Sequence, residues 1–353
     1  MAFTWTSQRN GMTRIGSSGG ERLARNRAND LLVEDAYQAA HAMILCLGPT
    51  PAAQRVMIFR RLTLDAVNRA HTTLDGAAGK SVNVAKVLRA LGEPVTATGF
   101  LGGDRGEHLR EALAARGVEL DFVAVSARTR ECVTVIDEAG GTVTELVEES
   151  RPVEPAAYEQ LAAGLQRRLP TCRALVLSGT LTPGGPVDFY RRCVEWARVA
   201  GALSVVDAQG PPLVEALTAR PGLVKPNRVE LGTTIGRDLP GESAVLAAAR
   251  ELHARGAERV VVTAGAAPTL AFDGQTCWRV IPPRIPALNP IGSGDAFTAA
   301  LTASLVRGDD LGEACRWGAA AGAANALTPM AGEVERAQIE ALFKQVRVER
   351  LPT

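Results

Sequence analysis

Short apolar runs rich in β-branched residues alternate with helix-length amphipathic stretches, and this alternation limits the fold more than any other feature of the chain. The runs are ILCLG (44–48), TATGFLG (96–102), ALVLSG (174–179), ALSVVDA (202–208), GLVKPN (222–227) and RVVVTAG (259–265). Between them stand NVAKVLRALG (83–92), AAYEQLAAGLQRRL (156–169), PVDFYRRCVEWARVAG (186–201) and SAVLAAARELHARG (243–256). Strands too apolar to have one wet face, separated by helices, predict an α/β chain with a mostly parallel central sheet and helices on both faces. At 353 residues and 46% apolar composition, the chain is long enough to bury one large core of this kind.

Charge narrows the partners. A formal net charge of +1 provides no global field for nucleic acid or an anionic membrane, so neither is expected as a partner and any phosphate must be held locally. Cys46, Cys132, Cys172, Cys193, Cys277 and Cys315 lie far apart without metal-ligand spacing, which reads as reduced thiols in a cytoplasmic protein. No apolar run approaches the roughly 20 residues that span a bilayer. Residues 1–42 are rich in Arg, Ser, Gly and Asn with no periodic apolar face; they read as a disordered tail or an over-extended start ahead of Met43, and less well as a transit peptide. The folded domain is expected over 43–350.

The apolar runs end in groups able to hold a ligand: Ser178-Gly179, Asp207, Lys225-Pro226-Asn227 and Thr263-Ala264-Gly265. Each alone makes an ordinary strand-to-helix turn. Together they predict a crevice at the carboxyl edge of the sheet, where open α/β sheets bind ligands. Two segments break the alternation, LTLDAVNRAHTTLD (62–75) and FVAVSARTRECVTVIDEAGGTVTELVEE (122–149). Their period-two Thr and Val and a Gly-Gly turn predict hairpin strands near 54–78 and 122–149, outside the main sheet, as a small lid.

NPIGSGDAF (289–297) carries the chemistry. Small residues ahead of an apolar helix let the amides of Gly292, Ser293 and Gly294 converge on one anionic oxygen, and the helix dipole adds positive charge there. Asp295 at the inner end of the loop would be repelled by a resting phosphate, yet is placed to take a proton from an attacking hydroxyl. That pairing fits phosphoryl transfer to an alcohol. A plain helix-capping role is the alternative for Asp295.

These residues resemble a known family. NPIGSGDAF is similar to the second signature of the phosphofructokinase B (PfkB) family of ribokinase-like sugar kinases, usually DTxGAGD, and DGAAGKSVNVAKVLRALG (75–92) to its first, GGKGxNVA. GFLGGDRGEHL (99–109), TRECVTVID (129–137), SGTLTPGG (178–185), VKPNRVEL (224–231) and VVTAGAAPTL (261–270) follow in the family's order, over roughly residues 43 to 346. NPxGSGD, TRxC, GFLGG and KPNxxEL together resemble the tagatose-6-phosphate kinase and 1-phosphofructokinase branch. The resemblance implies a three-layer α/β/α fold and an ATP-dependent, Mg²⁺-requiring kinase acting on a ketohexose phosphate. It implies Asp295 as general base, Gly292, Ser293 and Gly294 as the anion hole, and Lys225 at the nucleotide phosphates. Asn227 and Glu230 would organise Mg²⁺, Thr263 and Gly265 would line the nucleotide side, and Asn325 would stand near the adenine. Gln54, Gly79, Lys80, Asn83, Arg130 and Ser178 would meet the acceptor, with Lys80 and Arg130 as cations for its phosphate. The lid would close over the acceptor, and pairing of its open edges predicts a homodimer.

Three positions depart from the family pattern. Gln54 stands where the branch carries an acidic residue, so the acceptor contact changes from pure acceptor to mixed donor and acceptor. Pro268 replaces the last glycine of the nucleotide loop and removes an N–H. Asn289 replaces the leading aspartate of the second signature. The first two keep open a catalytically weakened sugar-phosphate-binding regulatory protein of the same fold. A dinucleotide-dependent dehydrogenase fits worse, because no GxGxxG follows the first strand.

Overall fold

A computed structural model of the chain describes residues 43–352, so the reading of residues 1–42 lies outside the described residues. The chain opens with β1 (Met43–Leu47), β2 (Ala52–Phe59), β3 (Thr72–Ala78), α1 (Lys80–Ala90), β4 (Val95–Thr98), β5 (Phe100–Leu101) and α2 (Gly103–Ala114). β6 (Glu119–Leu120), β7 (Val123–Ala124), β8 (Arg130–Asp137), β9 (Thr142–Val147), α3 (Pro155–Arg168), β10 (Cys172–Ser178), α4 (Phe189–Val199) and β11 (Leu203–Asp207) follow. Then come α5 (Gly210–Thr218), β12 (Leu223–Val224), α6 (Arg228–Ile235), α7 (Gly241–Ala254), β13 (Val260–Ala264), β14 (Ala267–Phe272) and β15 (Cys277–Ile281). The last elements are α8 (Ser293–Val306), α9 (Leu311–Ala326), α10 (Arg336–Phe343) and β16 (Arg347–Leu351).

The main sheet has ten strands in the order β16-β15-β14-β13-β12-β11-β10-β1-β4-β6. From β6 to β13 every neighbouring pair is parallel, while β14, β15 and β16 add antiparallel strands at one edge. Alternation along β1 divides the core: Ile44 and Cys46 pack with α1, α2, α8, α9 and α10, and Leu45 and Leu47 with α3 to α7. The result is the expected three-layer α/β/α arrangement.

The four-stranded sheet β3-β2-β8-β9 stands apart from the main sheet. Its strands differ in extent from the sequence reading. Residues 62–71 are not strand; β3 begins only at Thr72 and pairs with β2. Within 122–149, β8 and β9 form the hairpin around Gly140-Gly141, but Val123–Ala124 pairs with Phe100–Leu101 in a separate two-stranded ladder. GLVKPN also shrinks to the two paired residues of β12, because Pro226 cannot donate to a ladder.

The apolar run behind GSGD becomes α8, in which every residue from Asp295 to Ser304 is buried. A helix enclosed on all sides has no wet face, and its small residues admit α9 closely. A Cβ on Gly318 would lie 2.7 Å from the Phe297 ring. The core therefore fixes the helix whose N-terminus carries the signature loop.

Candidate active site

The carboxyl ends of the parallel strands, the start of α8 and the inner face of the small sheet enclose a cavity of about 350 Å³. Gln54, Gly79, Lys80, Asn83, Arg130, Lys225, Asn227, Glu230, Thr263, Gly292, Gly294 and Asp295 all line it, so residues from six separate segments of the sequence meet in one place. A larger depression of about 630 Å³ beside α6 gathers none of these groups; its charged lining is Arg228, Arg237 and Asp238.

Two glycines shape the cavity. Gly79, with φ 105°, precedes α1, and a Cβ there would approach the Pro51 backbone to 2.8 Å. Gly292, with φ 83°, precedes α8, and a Cβ would stand 2.7 Å from that of Ala331. Both positions combine a left-handed backbone with close contact, which only glycine accommodates. The amides of Gly292 and Gly294 have no acceptor among the described residues, whereas the Ser293 amide donates to the Pro290 carbonyl at 3.2 Å. Ser293 thus closes the turn, and its two neighbours carry the free donors.

Asp295 begins the buried part of α8 with 7% exposure, and Asn83 Nδ2 donates to its Oδ2 at 2.8 Å. Burial pushes its carboxyl up to about 7, against the Lys80 charge; the negative charge of Asp207 adds to the rise, and the Asn83 bond and Lys225 oppose it. A carboxyl poised there exchanges a proton near neutral pH. The sequence noted Asp207 as a strand end but gave it no role. It proves central: Oδ1 receives Lys80 Nζ at 3.1 Å, Oδ2 receives Lys225 Nζ at 3.1 Å, and the Thr298 hydroxyl lies 2.9 Å from Oδ2. Burial acts to raise Asp207, but Lys225 and Lys80 outweigh it and hold the carboxyl at about 2. Its signal was a carboxylate ending a buried strand whose other residues are apolar apart from Ser204.

Lys80 and Arg130 share the cavity with Asp295, yet differ in availability. Lys80 also donates to Glu230 Oε1 at 2.8 Å; burial would lower its pKa, but Asp207, Glu230 and Asp295 raise it further than that. Arg130 donates through Nε and Nη2 to the Thr50 carbonyl at 3.2 and 3.0 Å, which leaves Nη1 for a ligand. Asn227 and Glu230 form a reciprocal capping box at α6: Asn227 Oδ1 accepts the Glu230 amide and Glu230 Oε2 accepts the Asn227 amide, each at 2.8 Å.

Three residues singled out in the sequence lie outside the cavity lining. Asn325 is fully buried and does not reach the cavity: Nδ2 donates to the Ile291 carbonyl at 2.8 Å and Oδ1 accepts the Gly332 amide at 2.7 Å, so it braces the signature turn. Ser178 is 1% exposed and its hydroxyl lies inside the protein, outside the cavity lining. Gly265 occupies an exposed two-residue turn between β13 and β14, away from that lining. Pro268 falls where the β13–β14 register shifts, between the Ala264–Ala267 and Val262–Leu270 pairs; a bulge there needs no N–H from proline. Asn289 accepts from the Ile291 amide at 3.0 Å and donates to the Pro329 carbonyl at 2.8 Å, a donation an ionised aspartate could not make.

Comparison with known proteins agrees with this geometry. The model of the pfkB family carbohydrate kinases matches residues 42–337. A tagatose-6-phosphate kinase of Staphylococcus epidermidis is 30% identical over 309 residues, covering 87% of this chain and 99% of that protein. The tetrameric inhibited form of phosphofructokinase-2 from Escherichia coli superposes with TM-score 0.77 at 28% identity, over 86% of this chain and 98% of the other. A structure described as a possible 1-phosphofructokinase from Thermotoga maritima shares the fold, with TM-score 0.81 at 24% identity, over 88% of this chain and all of the other. The chain belongs to the pfkB family of carbohydrate kinases.

Proposed function

We propose that this kinase transfers the γ-phosphoryl group of ATP to a hydroxyl of a ketohexose phosphate, with Asp295 as general base. The observation that carries the reading is the buried Asp295 carboxyl, shifted to about 7, next to the free amides of Gly292 and Gly294 at the start of α8. A base with that pKa is ionised often enough to accept a hydroxyl proton and basic enough to draw it off. The amides and the Lys225 ammonium, which lies 3.8 Å from the position of a Cβ on Gly294, stabilise charge on the group in transfer. Asn83 orients the carboxylate. Arg130 holds the acceptor's phosphate.

Mg²⁺ takes one or two carboxylates, phosphate oxygens and waters. Glu230 fits that requirement, since each carboxylate oxygen accepts one bond here and retains a second lone pair toward the cavity, with Asn227 beside it. The ion would neutralise charge between the nucleotide phosphates. The exposed edge of β9, with Leu146 and Val147 at 57% and 47% exposure, supports a homodimer through the small sheet.

A coupled nucleotide-turnover assay with fructose 1-phosphate, fructose 6-phosphate, tagatose 6-phosphate and the corresponding free ketohexoses tests the reading. Turnover with a phosphorylated acceptor is expected. Turnover on free ketohexoses alone, or on none of these acceptors, overturns it.

A further inference from the structure

We propose that Glu145 is a specificity-determining residue that binds acceptor hydroxyls at the end of the cavity remote from Arg130. The inference rests on the reading of the site as a sugar-phosphate kinase and deepens it.

Register places the residue. Gln54 pairs with Cys132 and Cys132 with Val147, while Val56 pairs with Thr134 and Thr134 with Glu145. Side chains alternate along strands, so Arg130, Cys132, Thr134 and Glu145 share the inner face of the small sheet with Gln54. Arg130 and Thr134 are four residues apart on β8, on the order of 13 Å at a strand's rise. Both Arg130 and Glu145 line the cavity, and register sets their backbones at opposite ends of that span. A sugar phosphate laid along β8 therefore brings its phosphate to the guanidinium and its far hydroxyls to the carboxylate, with like charges kept apart.

Polar groups in this half of the cavity lack partners. Gln54 is 2% exposed, and neither Oε1 nor Nε2 meets a partner among the described residues; nor does Asn83 Oδ1, at 4% exposure. Buried amides without partners are costly, so they mark where a ligand's hydrogen-bonding groups belong. The Glu145 side chain, on an exposed strand, makes no hydrogen bond or ion pair with any described residue. The other cavity carboxylates are engaged: Asp207 by two lysines, Glu230 by Lys80 and its cap, Asp295 by Asn83. Burial raises the Glu145 pKa and the charge of Arg130 works against that rise.

Chemistry then separates the two lid groups. Gln54 accepts only through Oε1 and donates through Nε2, so it cannot receive hydroxyl donors on both terminal atoms as a carboxylate does. Glu145 offers two carboxyl oxygens, one strand pair along from the glutamine. It supplies what Gln54 lacks.

The test uses steady-state kinetics of the full chain and of Glu145→Gln and Glu145→Ala, with the C4 epimers fructose 6-phosphate and tagatose 6-phosphate. β9 is exposed and Glu145→Gln is isosteric, and a thermal melt of each variant confirms the fold. Expected is a roughly tenfold or greater rise in acceptor KM, since hydrogen bonds to charged groups contribute that much. The KM for ATP should stay within about twofold, and the ratio of kcat/KM between the epimers should change, which a merely structural role would not produce. Folded variants with wild-type acceptor KM and epimer ratio overturn the assignment of Glu145 alone. A wild-type chain inactive on every sugar phosphate overturns it together with the reading it rests on.

Discussion

Lys225 and Asp207 form a buried ion pair of 3.1 Å across the floor of the cavity, with side-chain exposures of 3% and 1%. Removing the carboxylate strands the buried Lys225 ammonium, and the same carboxylate also anchors Lys80. Structural and catalytic demands are thus joined in one side chain.

Asp207→Asn leaves two ammonium groups without their shared counter-charge. Loss of one partner of a buried pair costs about 3–5 kcal/mol, so chemical denaturation should show a stability loss of that order. Because the folded-state pKa of Asp207 lies near 2, below its ordinary 3.8, its contribution is present above pH 3.8 and lost as pH falls toward 2. An Asp207→Asn variant as stable as the wild type at neutral pH would remove the ion pair from the account.

Asp295 predicts the pH profile of the free enzyme. Its carboxyl must be ionised to accept a proton, and its pKa is about 7, so kcat/KM should climb with pH and level off above that value. A profile flat between about pH 5.5 and 8 contradicts this. The stability effect has the opposite sign: folding favours the protonated form, so the gain present below pH 3.8 is lost as pH rises through about 7. Asp295→Asn, neutral at every pH, should therefore melt a few degrees higher than the wild type at pH 8.

A glycine comparison separates backbone strain from site geometry. Gly236, at φ 70°, ends α6 with nothing within 4 Å of an added Cβ, whereas Gly292 would meet Ala331 at 2.7 Å. Gly236→Ala should lose about 1 kcal/mol with activity intact, since left-handed strain costs about that much. Gly292→Ala must displace Ala331 as well, and kcat should fall by roughly tenfold or more as the free amides move. Equal effects of the two changes on kcat would show that the α8 turn does not hold the transferred group.

Assembly through the small sheet gives a prediction in mass. Native mass spectrometry or light scattering at micromolar concentration should find a dimer, and Leu146→Glu, on the exposed edge strand, should shift it toward monomer. A wild-type monomer under those conditions contradicts the assembly.

The parallel strands and α1, α3, α4 and α7 were legible because the strands are short apolar runs and these helices carry a helical period. The antiparallel edge was not: CWRVI and RVERL mix charges into short strands, and β16 has an exposed face, so neither looks like core. Positions lining the cavity were legible where the motif fixed a backbone feature, as at Gly79, Gly292 and the Asn227–Glu230 cap. Placement relative to the cavity was not legible where only packing decides direction. Asn325 and Ser178 lie near the cavity but turn into the protein, and no local spacing records that turn. The role of Asp207 depends on two lysines 127 and 18 positions away, a relation visible only in the fold.

The most direct test of the central claim is phosphoryl transfer by Asp295→Asn on an acceptor that the wild type uses, with ATP binding measured alongside by calorimetry. A fall in kcat of roughly 10²- to 10⁴-fold is predicted for loss of a general base, with ATP affinity within a few-fold of wild type. Turnover within about tenfold of wild type, in a folded variant, would contradict the assignment of Asp295 as the base.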